Sequence, residues 1–324
     1  MDVLSEVLRV VKLEGALFFN GEFSAPWCLS NAASPARIPY LSPEAQHLII
    51  YHFLTEGRAY AELPDGSREE LTAGDIVIFP HGDAHLLGNG SPQRPVDSMK
   101  EFAEHLSQGL KLARFGGGGE VTKFVCGFMA CEPRLSEVFL AGLPKLIRVH
   151  VAGEPSGQWL ANWIRFSVDA QARAEAGGGL VSAKLAELLF VETLRRYLNA
   201  LPADQIGWLA GTRDPIIGKA LALLHNKPAD DWTVASLAKE VGLSRTRLAE
   251  RFSYFIGESP MAYLTQWRLR LAAEILQSTD DSVAEVAAAV GYGSEATFNR
   301  AFKRMFDCPP AQFRRERKKN AAVP

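Results

Sequence analysis

The sequence predicts an α+β protein, with a β-barrel in the N-terminal half followed by an all-α C-terminal half. Short apolar stretches separated by turn residues fill residues 40–130, whereas apolar residues at helical spacing dominate from about residue 155 onward. A length of 324 residues is also more than one ordinary domain requires. We therefore expect at least two domains of different secondary structure.

Charge is distributed unevenly along the chain. The net charge is −2, but residues 213–324 carry 17 Lys and Arg against 13 Asp and Glu, a net charge of +4. Residues 1–212 carry the remaining 18 basic and 24 acidic residues, a net charge of −6. A basic region joined to an acidic one is typical of a nucleic-acid-binding domain attached to a domain with another task.

The location of the protein is predicted from what the sequence lacks. Its apolar runs are too short to span a membrane, and its first residues do not form a signal-peptide pattern. Four cysteines are too few for a disulfide framework. We expect a cytoplasmic protein with no membrane partner.

An internal repeat is the strongest pattern in the C-terminal half. Residues 234–244 match residues 283–294, with an offset of 49 that becomes 50 after the inserted Gly293. In each copy, apolar residues at i, i+3, i+4 and i+7 predict a helix, a glycine predicts its end, and a serine predicts the start of a second helix. The helix-ending glycines are Gly242 and Gly291, and the predicted N-caps are Thr233, Ser244, Ser282 and Ser294.

A helix, a short glycine-containing turn and a second helix form a unit that reads the DNA major groove. The two second helices are predicted at about 244–256 and 294–306, with a connecting helix at about 259–277. At 1.5 Å per residue, the connecting helix spans about 28 Å, close to the ~34 Å between successive major grooves on one side of B-DNA. Two such units favour DNA binding over a helical scaffold that binds only protein.

This region resembles a known family. Residues of about 215–317 resemble the DNA-binding domain of the AraC family of bacterial transcriptional regulators, through Ile275-Leu276, Ser282–Ala287, Val290–Tyr292, Ser294–Arg304 and Cys308–Arg314. The resemblance implies a regulator rather than an enzyme. It also implies double-stranded DNA and RNA polymerase as partners, a homodimer as the assembly, and activation as the commoner mode of action.

The predicted helix faces identify candidate DNA contacts. They are Arg245, Thr246, Arg247, Ala249, Glu250, Glu295, Ala296, Asn299, Arg300, Lys303 and Arg304. Arg300 is suited to a guanine edge and Asn299 to an adenine. Arg245, Arg247, Lys303 and Arg304 are expected to contact phosphates. The alanines can contact only a thymine methyl group, and Glu250 is expected to read a cytosine or to contribute little.

The N-terminal half resembles a second family. The segment 74–89 matches the second sequence motif of the cupins, which are small jelly-roll barrels, through Gly74, Pro80, Gly82, His85 and Asn89. Cupins precede the DNA-binding domain in many AraC-type regulators. The resemblance implies a cupin-like sensor barrel over residues 1–150. We expect a helical region at 151–205 as a candidate dimer interface, a linker at 206–214 and the DNA-binding domain at 215–317.

Three interpretations of the barrel interior stay open. In metal-binding cupins the motif histidine, here His85, is a ligand, but Ile50 stands where the family's glutamate belongs and the His-x-His pair is missing. This pattern disfavours a metal-dependent cupin enzyme. Two histidines with a cysteine still suit zinc, as His52 and His85 with Cys126 or, alternatively, with Cys28. Alternatively, Cys28, Cys126 and Cys131 form an oxidant switch, or all of these side chains are simply core residues. The expected effector is accordingly a small molecule, a metal or an oxidant.

Overall fold

The structure is a computed structural model, and it describes residues 3–11, 13–91, 93–103, 112–131, 140, 142–153, 155–172, 177–202 and 206–320. Contacts divide the chain into two compact units. The barrel unit comprises Leu13–Pro133 and Leu143–Ala200, and the helical unit comprises Met1–Lys12, Arg134–Gly142 and Leu201–Pro324. No described helix is long and apolar enough to cross a membrane.

Two sheets form the barrel unit. The strands are β1 (Glu14–Ser24), β2 (Trp27–Asn31), β3 (His47–Glu56), β4 (Arg58–Glu62), β5 (Arg68–Thr72), β6 (Asp75–Phe79), β7 (His85–Asn89), β8 (Val96–Asp97), β9 (Leu112–Gly116), β10 (Val121–Cys131) and β11 (Ile147–His150). One sheet has the order β11-β6-β3-β10-β1-β9, and the other has the order β5-β4-β7-β2-β8. The predicted cupin-like barrel is thus confirmed, because the apolar runs read from the sequence fall on these strands.

The two sheets enclose an aromatic core. Phe23 stacks on Trp27 at 4.7 Å between ring centroids, and both rings lie within 6.3 Å of Phe124 on β10. These rings are nearly inaccessible to solvent, and burial of such side chains supplies about 1.5–3 kcal/mol each relative to exposure. The core therefore holds β1, β2 and β10 together, with strands from both sheets contributing.

Four helices accompany the barrel in the part of the chain that the structure describes. They are α2 (Ser34–Leu41), α3 (Ser98–Glu101), α4 (Pro155–Ala172) and α5 (Gly178–Ala200). Helix α5 packs against α4 and crosses β1 closely at Gly15, where an added Cβ would lie 2.9 Å from the Cβ of Ala186. Helix α2 packs against β3, and its Ile38 and Leu41 cover an apolar cluster around Ile50.

The helical unit contains nine described helices. They are α1 (Val3–Val11), α6 (Trp208–Arg213), α7 (Pro215–Asn226), α8 (Val234–Val241), α9 (Arg245–Ile256), α10 (Pro260–Ser278), α11 (Val283–Ala289), α12 (Glu295–Phe306) and α13 (Pro310–Asn320). The pairs α8–α9 and α11–α12 are the two copies of the repeat, and α10 connects them. The predicted α+β class, with two helix-turn-helix motifs joined by a long helix, is confirmed.

The boundaries of the two units differ from those expected. Residues 206–214, predicted as a linker, contain α6, in which Trp208 and Leu209 are buried. The indole Nε1–H of Trp208 donates to the hydroxyl of Tyr263 at 2.8 Å, so this segment is part of the helical unit. Residues 3–11 also belong to that unit rather than to the barrel, since α1 packs on α7 and α10.

Candidate DNA interface and sensor cavity

The first helix pair is built by local capping. The hydroxyl of Thr233 accepts from the backbone N–H of Ser236, whose own side chain accepts from the N–H of Thr233. Gly242 ends α8 in the left-handed conformation at φ 76°, and Ser244 caps α9. Because the turn is short and capped at both sides, the orientation of α9 is determined by local sequence.

The second pair repeats this construction. Ser282 and Glu285 form a reciprocal capping box at the start of α11, and Ser294 caps α12. Gly291 has φ 83°, and an added Cβ there would lie 2.7 Å from the Cα of Ala229. The four predicted N-caps and both predicted turn glycines are therefore confirmed, and Gly291 is required by space as well as by conformation.

The exposed face of α9 carries the first set of predicted contacts. Leu248 and Phe252 are fully buried and hold the helix against the unit. The opposite side presents Arg245, Thr246, Arg247 and Glu250 as exposed residues, with Ala249 half-buried. Four of these five residues are polar, and all five lie in the N-terminal half of α9.

The exposed face of α12 carries the second set. Phe298, Phe302 and Phe306 are buried and form a ring stack along the inner side of the helix. The outer side presents Glu295, Ala296, Arg300, Lys303 and Arg304 as exposed residues and Asn299 as half-buried. A groove beside this face is lined by Val283, Glu295, Asn299, Arg300, Lys303, Pro309 and Ala311. The structure thus brings the predicted contacts of each copy onto one exposed helix face.

Other arginines of the helical unit bind the protein itself, which the sequence analysis did not identify. Arg251 forms an ion pair with Asp214, the residue that caps α7. Arg268 donates to the carbonyl oxygens of Pro228 and Asp230, at 2.7 and 2.8 Å. These two side chains hold loops and helix ends in place, and the basic residues predicted to contact DNA on α9 and α12 remain exposed.

Inside the barrel, the three predicted metal ligands meet as a linear chain of hydrogen bonds. Nδ1 of His52 lies 2.8 Å from Sγ of Cys126, and Nε2 of His52 lies 2.8 Å from Nε2 of His85. Nδ1 of His85 lies 2.9 Å from the carbonyl oxygen of Asp83. These contacts link the two sheets, because His52 and Cys126 are paired in one sheet and His85 belongs to the other.

The backbone carbonyl determines the direction of this chain. Since a carbonyl oxygen only accepts, Nδ1 of His85 donates to Asp83, and Nε2 of a neutral His85 accepts. Nε2 of His52 then donates to His85, which leaves Nδ1 of His52 to accept from the thiol of Cys126. All three side chains are satisfied when they are uncharged.

The electrostatics agree with this assignment. Burial lowers the pKa of His85 to about 3, with the nearby Arg37 as the next cause. Burial also lowers the pKa of His52 well below its usual value, and His85 and Arg37 lower it further. Burial raises the pKa of the Cys126 thiol to about 12. The chain is therefore neutral at physiological pH.

This arrangement does not fit a resident metal. The two ring nitrogens of His52 face different partners, so one ion cannot be bound by His52, His85 and Cys126 together in this geometry. Among the residues that the structure describes, no group of three or more His, Cys, Asp or Glu side chains is arranged to hold a metal ion.

The cysteines predicted as an oxidant switch are inaccessible. Cys28, Cys126 and Cys131 are all buried and none forms a disulfide. Tyr60 donates its hydroxyl hydrogen to Sγ of Cys28 at 3.4 Å. Because thiolates rather than thiols react with oxidants, burial and the raised pKa of Cys126 favour the interpretation of these residues as core.

Beside the histidine chain lies a small, mainly apolar cavity of about 30 Å³. It is lined by Phe19, Phe23, Leu29, Asn31, Arg37, His52, Leu87, Ser98, Met99, Phe102, Phe124 and Cys126. A concave apolar space with a few polar groups is the usual form of a small-molecule site.

Comparison with known proteins agrees with both halves of the structure. A cupin family model matches residues 2–199, and a helix-turn-helix domain model matches residues 237–316. The HTH-type transcriptional regulator AlkR of Acinetobacter baylyi is 29% identical over 98% of this chain and 100% of its own length. An AraC-like transcription regulator of Streptomyces lividans is 31% identical over 97% of this chain and 98% of its own length.

One of the matching solved structures contains DNA. The DNA-binding domain of AdpA, in complex with a target DNA, is 27% identical, covers 34% of this chain and 99% of its own chain, and gives a TM-score of 0.32. The fold and the sequence relatives together define a DNA-binding transcriptional regulator with a cupin domain. The chain belongs to the AraC family of transcriptional regulators. Its relatives are named as regulators, in agreement with the prediction that it is not an enzyme.

Proposed function

We propose that this regulator reads a specific DNA site of roughly 20 base pairs with α9 and α12, in response to a small molecule bound in the cupin barrel. The observation that carries the proposal is the equivalence of the two exposed helix faces at either side of α10. Helix α10 has 19 residues and is therefore about 28 Å long, close to the ~34 Å repeat of B-DNA. The two faces are proposed to enter successive major grooves.

Each exposed side chain receives a proposed role from its chemistry. Arg300 is proposed to bond a guanine edge with two hydrogen bonds, and Asn299 to bond an adenine. Arg245, Arg247, Lys303 and Arg304 are proposed to neutralise phosphates and to position the helices. Thr246, Ala249, Glu250, Glu295 and Ala296 complete the two surfaces and contribute shape and selectivity more than affinity.

A homodimer is proposed to form through the helices that cover the barrel. Trp159, Trp163 and Phe166 on α4 are 40–51% exposed and contact one another edge to face or at a tilt. Leu180 and Leu188 on α5 are also exposed. Clustered exposed aromatic side chains are characteristic of protein interfaces, where Trp residues contribute much of the binding free energy.

Regulation is proposed to follow from differential binding. A signal in the barrel shifts the protein between two arrangements only if it binds one of them more tightly. We propose that the shift controls contact with RNA polymerase in the cytoplasm, with activation as the mode of action. A small molecule is favoured over a metal or an oxidant, because the His52–His85–Cys126 chain is neutral and buried.

The proposed function is tested by selecting bound fragments from a bacterial genomic DNA library with the purified full chain, followed by salt titration. The expected result is a site of roughly 20 base pairs with two elements one helical turn apart and a steep loss of affinity with salt. A mutant bearing acidic residues at both Arg245 and Arg300 serves as the negative control. Equal retention of all fragments by the native protein would contradict sequence-specific reading.

A further inference from the structure

One arginine in the barrel unit is buried without a direct ion pair among the described residues, although the charge of Asp97 acts on it from further away. Arg37, on α2, is 1% exposed and lines the apolar cavity described above. Its Nε and Nη2 atoms have no hydrogen-bond partner. A buried, unpaired cation is costly, so such a group is rare unless it has a ligand to bind.

The two unpartnered nitrogens belong to the same edge of the guanidinium plane. This is the edge that meets a carboxylate with two parallel hydrogen bonds, the geometry in which arginine binds carboxylates most specifically. The group also stays charged at physiological pH, because burial lowers its pKa only to about 10. The guanidinium of Arg37 is therefore suited to bind an anion inside an apolar cavity.

A second donor lines the same cavity. Asn31 is 7% exposed, and its Oδ1 accepts from the hydroxyl of Ser98 at 3.0 Å. Its Nδ2 has no partner, so the amide presents a free N–H donor. The neutral His52 and Cys126 are already engaged with each other and with His85, which leaves Arg37 and Asn31 as the groups that lack partners.

The remainder of the lining specifies the body of the ligand. Phe19, Phe23, Phe102 and Phe124, with Leu29 and Leu87, form most of the wall. A highly hydrated anion such as inorganic phosphate would lose its water to these rings without enough donors in return. An amphipathic molecule with one carboxylate matches both parts of the cavity.

From these observations, we infer that the cupin cavity binds a small organic monocarboxylate with an apolar aliphatic or aromatic body. The carboxylate is held by Nε and Nη2 of Arg37 and by Nδ2 of Asn31, and the body lies among the phenylalanine rings. This inference rests on the proposed function, since it names the chemistry of the signal that the barrel senses.

The test compares acids with neutral counterparts of the same shape. Benzoate, phenylacetate, hexanoate and octanoate are titrated into the full-length protein by isothermal calorimetry, alongside the corresponding amides. At least one acid is expected to bind 10-fold or more tightly than its amide. Equal affinities of every acid and its amide would overturn the inference, as would an absence of binding by all four acids.

Variants identify the receptor. Arg37→Met removes the charge and keeps an apolar chain of similar length, so it is expected to abolish acid binding while thermal stability is kept or increased. Arg37→Lys keeps the charge without the paired donors and is expected to weaken binding about 10-fold. Arg58→Met, which changes an exposed arginine of the same unit, serves as the matched control.

Two outcomes with these variants would contradict the assignment. If Arg37→Met unfolded the barrel unit, Arg37 would have a structural role. The folded Arg37→Lys variant would then show, by weaker or unchanged acid binding, whether Arg37 also holds the carboxylate. If Arg37→Lys and Asn31→Ala both bound the acids as the native protein does, the carboxylate would lie elsewhere. Because these titrations contain no DNA, their failure leaves the DNA-reading proposal to be judged by its own experiment.

Discussion

The arginines of the helical unit differ in role, and the difference is visible only in their contacts. Some bond to the protein itself, and others are exposed to solvent. Arg268 donates to two backbone carbonyls, and Arg251 pairs with Asp214, so both stabilise the fold. Arg300 is exposed on α12, where its only side-chain contact among the described hydrogen bonds is a 3.3 Å bond to Thr297. A base-reading arginine needs this freedom, because its guanidinium must adapt to the edge of a guanine.

The first prediction separates base reading from phosphate binding on α12. Arg300→Ala is expected to cost about 1–3 kcal/mol at one base position and to relax specificity there. Lys303→Ala is expected to weaken binding to all sequences alike and to reduce the salt slope by about one. Both are measured by fluorescence anisotropy on the selected site and its single-base variants. A uniform loss of affinity in Arg300→Ala would reassign that residue to phosphate.

A second prediction at this scale concerns His225, which is buried in the helical unit. Its ring stacks on Trp267 at 3.9 Å, its Nε2 accepts from the hydroxyl of Tyr263, and burial lowers its pKa to about 3. In the unfolded chain, a histidine binds a proton near pH 6.5, whereas the native His225 does not. Stability from this residue is therefore complete above pH 6.5 and is lost as the pH falls toward 3.

The expected size of this effect is about 1.4 kcal/mol per pH unit, or about 2 kcal/mol between pH 6.5 and 5. His225→Gln removes the titrating ring, so the variant should lose less stability over this interval than the native protein. Urea unfolding followed by tryptophan fluorescence, repeated from pH 5 to 8, measures the difference. An identical dependence on pH in both proteins would show that His225 does not titrate as its burial requires.

At the scale of elements, the turns between the paired helices determine how the second helix of each pair is oriented. Gly242 and Gly291 occupy equivalent places in the repeat and both adopt the left-handed conformation. Their surroundings differ. A Cβ at Gly242 would meet nothing within 4 Å, whereas a Cβ at Gly291 would approach the Cα and carbonyl oxygen of Ala229 to 2.7 and 2.8 Å.

The third prediction uses this difference as its own control. Gly242→Ala is expected to cost about 1 kcal/mol, the conformational penalty of a left-handed alanine. Gly291→Ala adds a backbone clash and is expected to cost about 2–4 kcal/mol, at the upper end of ordinary single substitutions. Thermal unfolding of the two variants measures both costs. Equal destabilisation would mean that the chain around Ala229 moves aside without cost.

In the molecule as a whole, basic helix faces and an apolar cavity belong to different units. Helices α9 and α12 of the helical unit both present basic residues to solvent, while the barrel unit contains a mainly apolar cavity beside one buried arginine. This division corresponds to the uneven charge of the sequence. A basic surface for DNA gives salt-dependent binding, whereas recognition inside the barrel is shielded from salt.

The fourth prediction concerns the assembly of the whole protein. Trp163→Ser is expected to weaken dimerisation by about 30-fold, since a central interface tryptophan contributes roughly 2 kcal/mol or more. Tyr40→Ser changes an aromatic residue of the same unit that is more exposed, at 71% against 40% for Trp163, and serves as the control. Light scattering after size exclusion, over a range of concentrations, measures both. A monomeric native protein would contradict the proposed dimer.

The sequence could predict those features that depend on residues close together in the chain. The capping of α8, α9, α11 and α12 involves side chains within three residues of the backbone groups that they bind. The turn glycines and the strand-forming runs are equally local. The resemblance to two families extended these elements to a barrel and a double helix-turn-helix, both of which the structure and the comparisons confirm.

The sequence could not predict contacts between distant residues. Residues 206–214 have the composition of a linker, but Trp208 reaches Tyr263, which is 55 positions away, and folds the segment into the helical unit. His52, His85 and Cys126 were expected to converge, yet their linear order depends on ring orientations that follow from the carbonyl of Asp83. Arg37 gave no signal at all, because arginine is usually exposed and nothing beside it in the chain indicates burial.

By itself, then, the sequence determined the two halves of the protein, the start and end of its reading helices, and the side chains on their exposed faces. Local hydrogen bonds and helical periodicity are sufficient for these features. Only the tertiary structure decided which histidine nitrogens meet, which arginines are bound by the protein, and that a charged group stands unpaired in the barrel. The burial and pairing of a side chain depend on contacts with residues distant in the sequence, and these contacts form only when the chain folds.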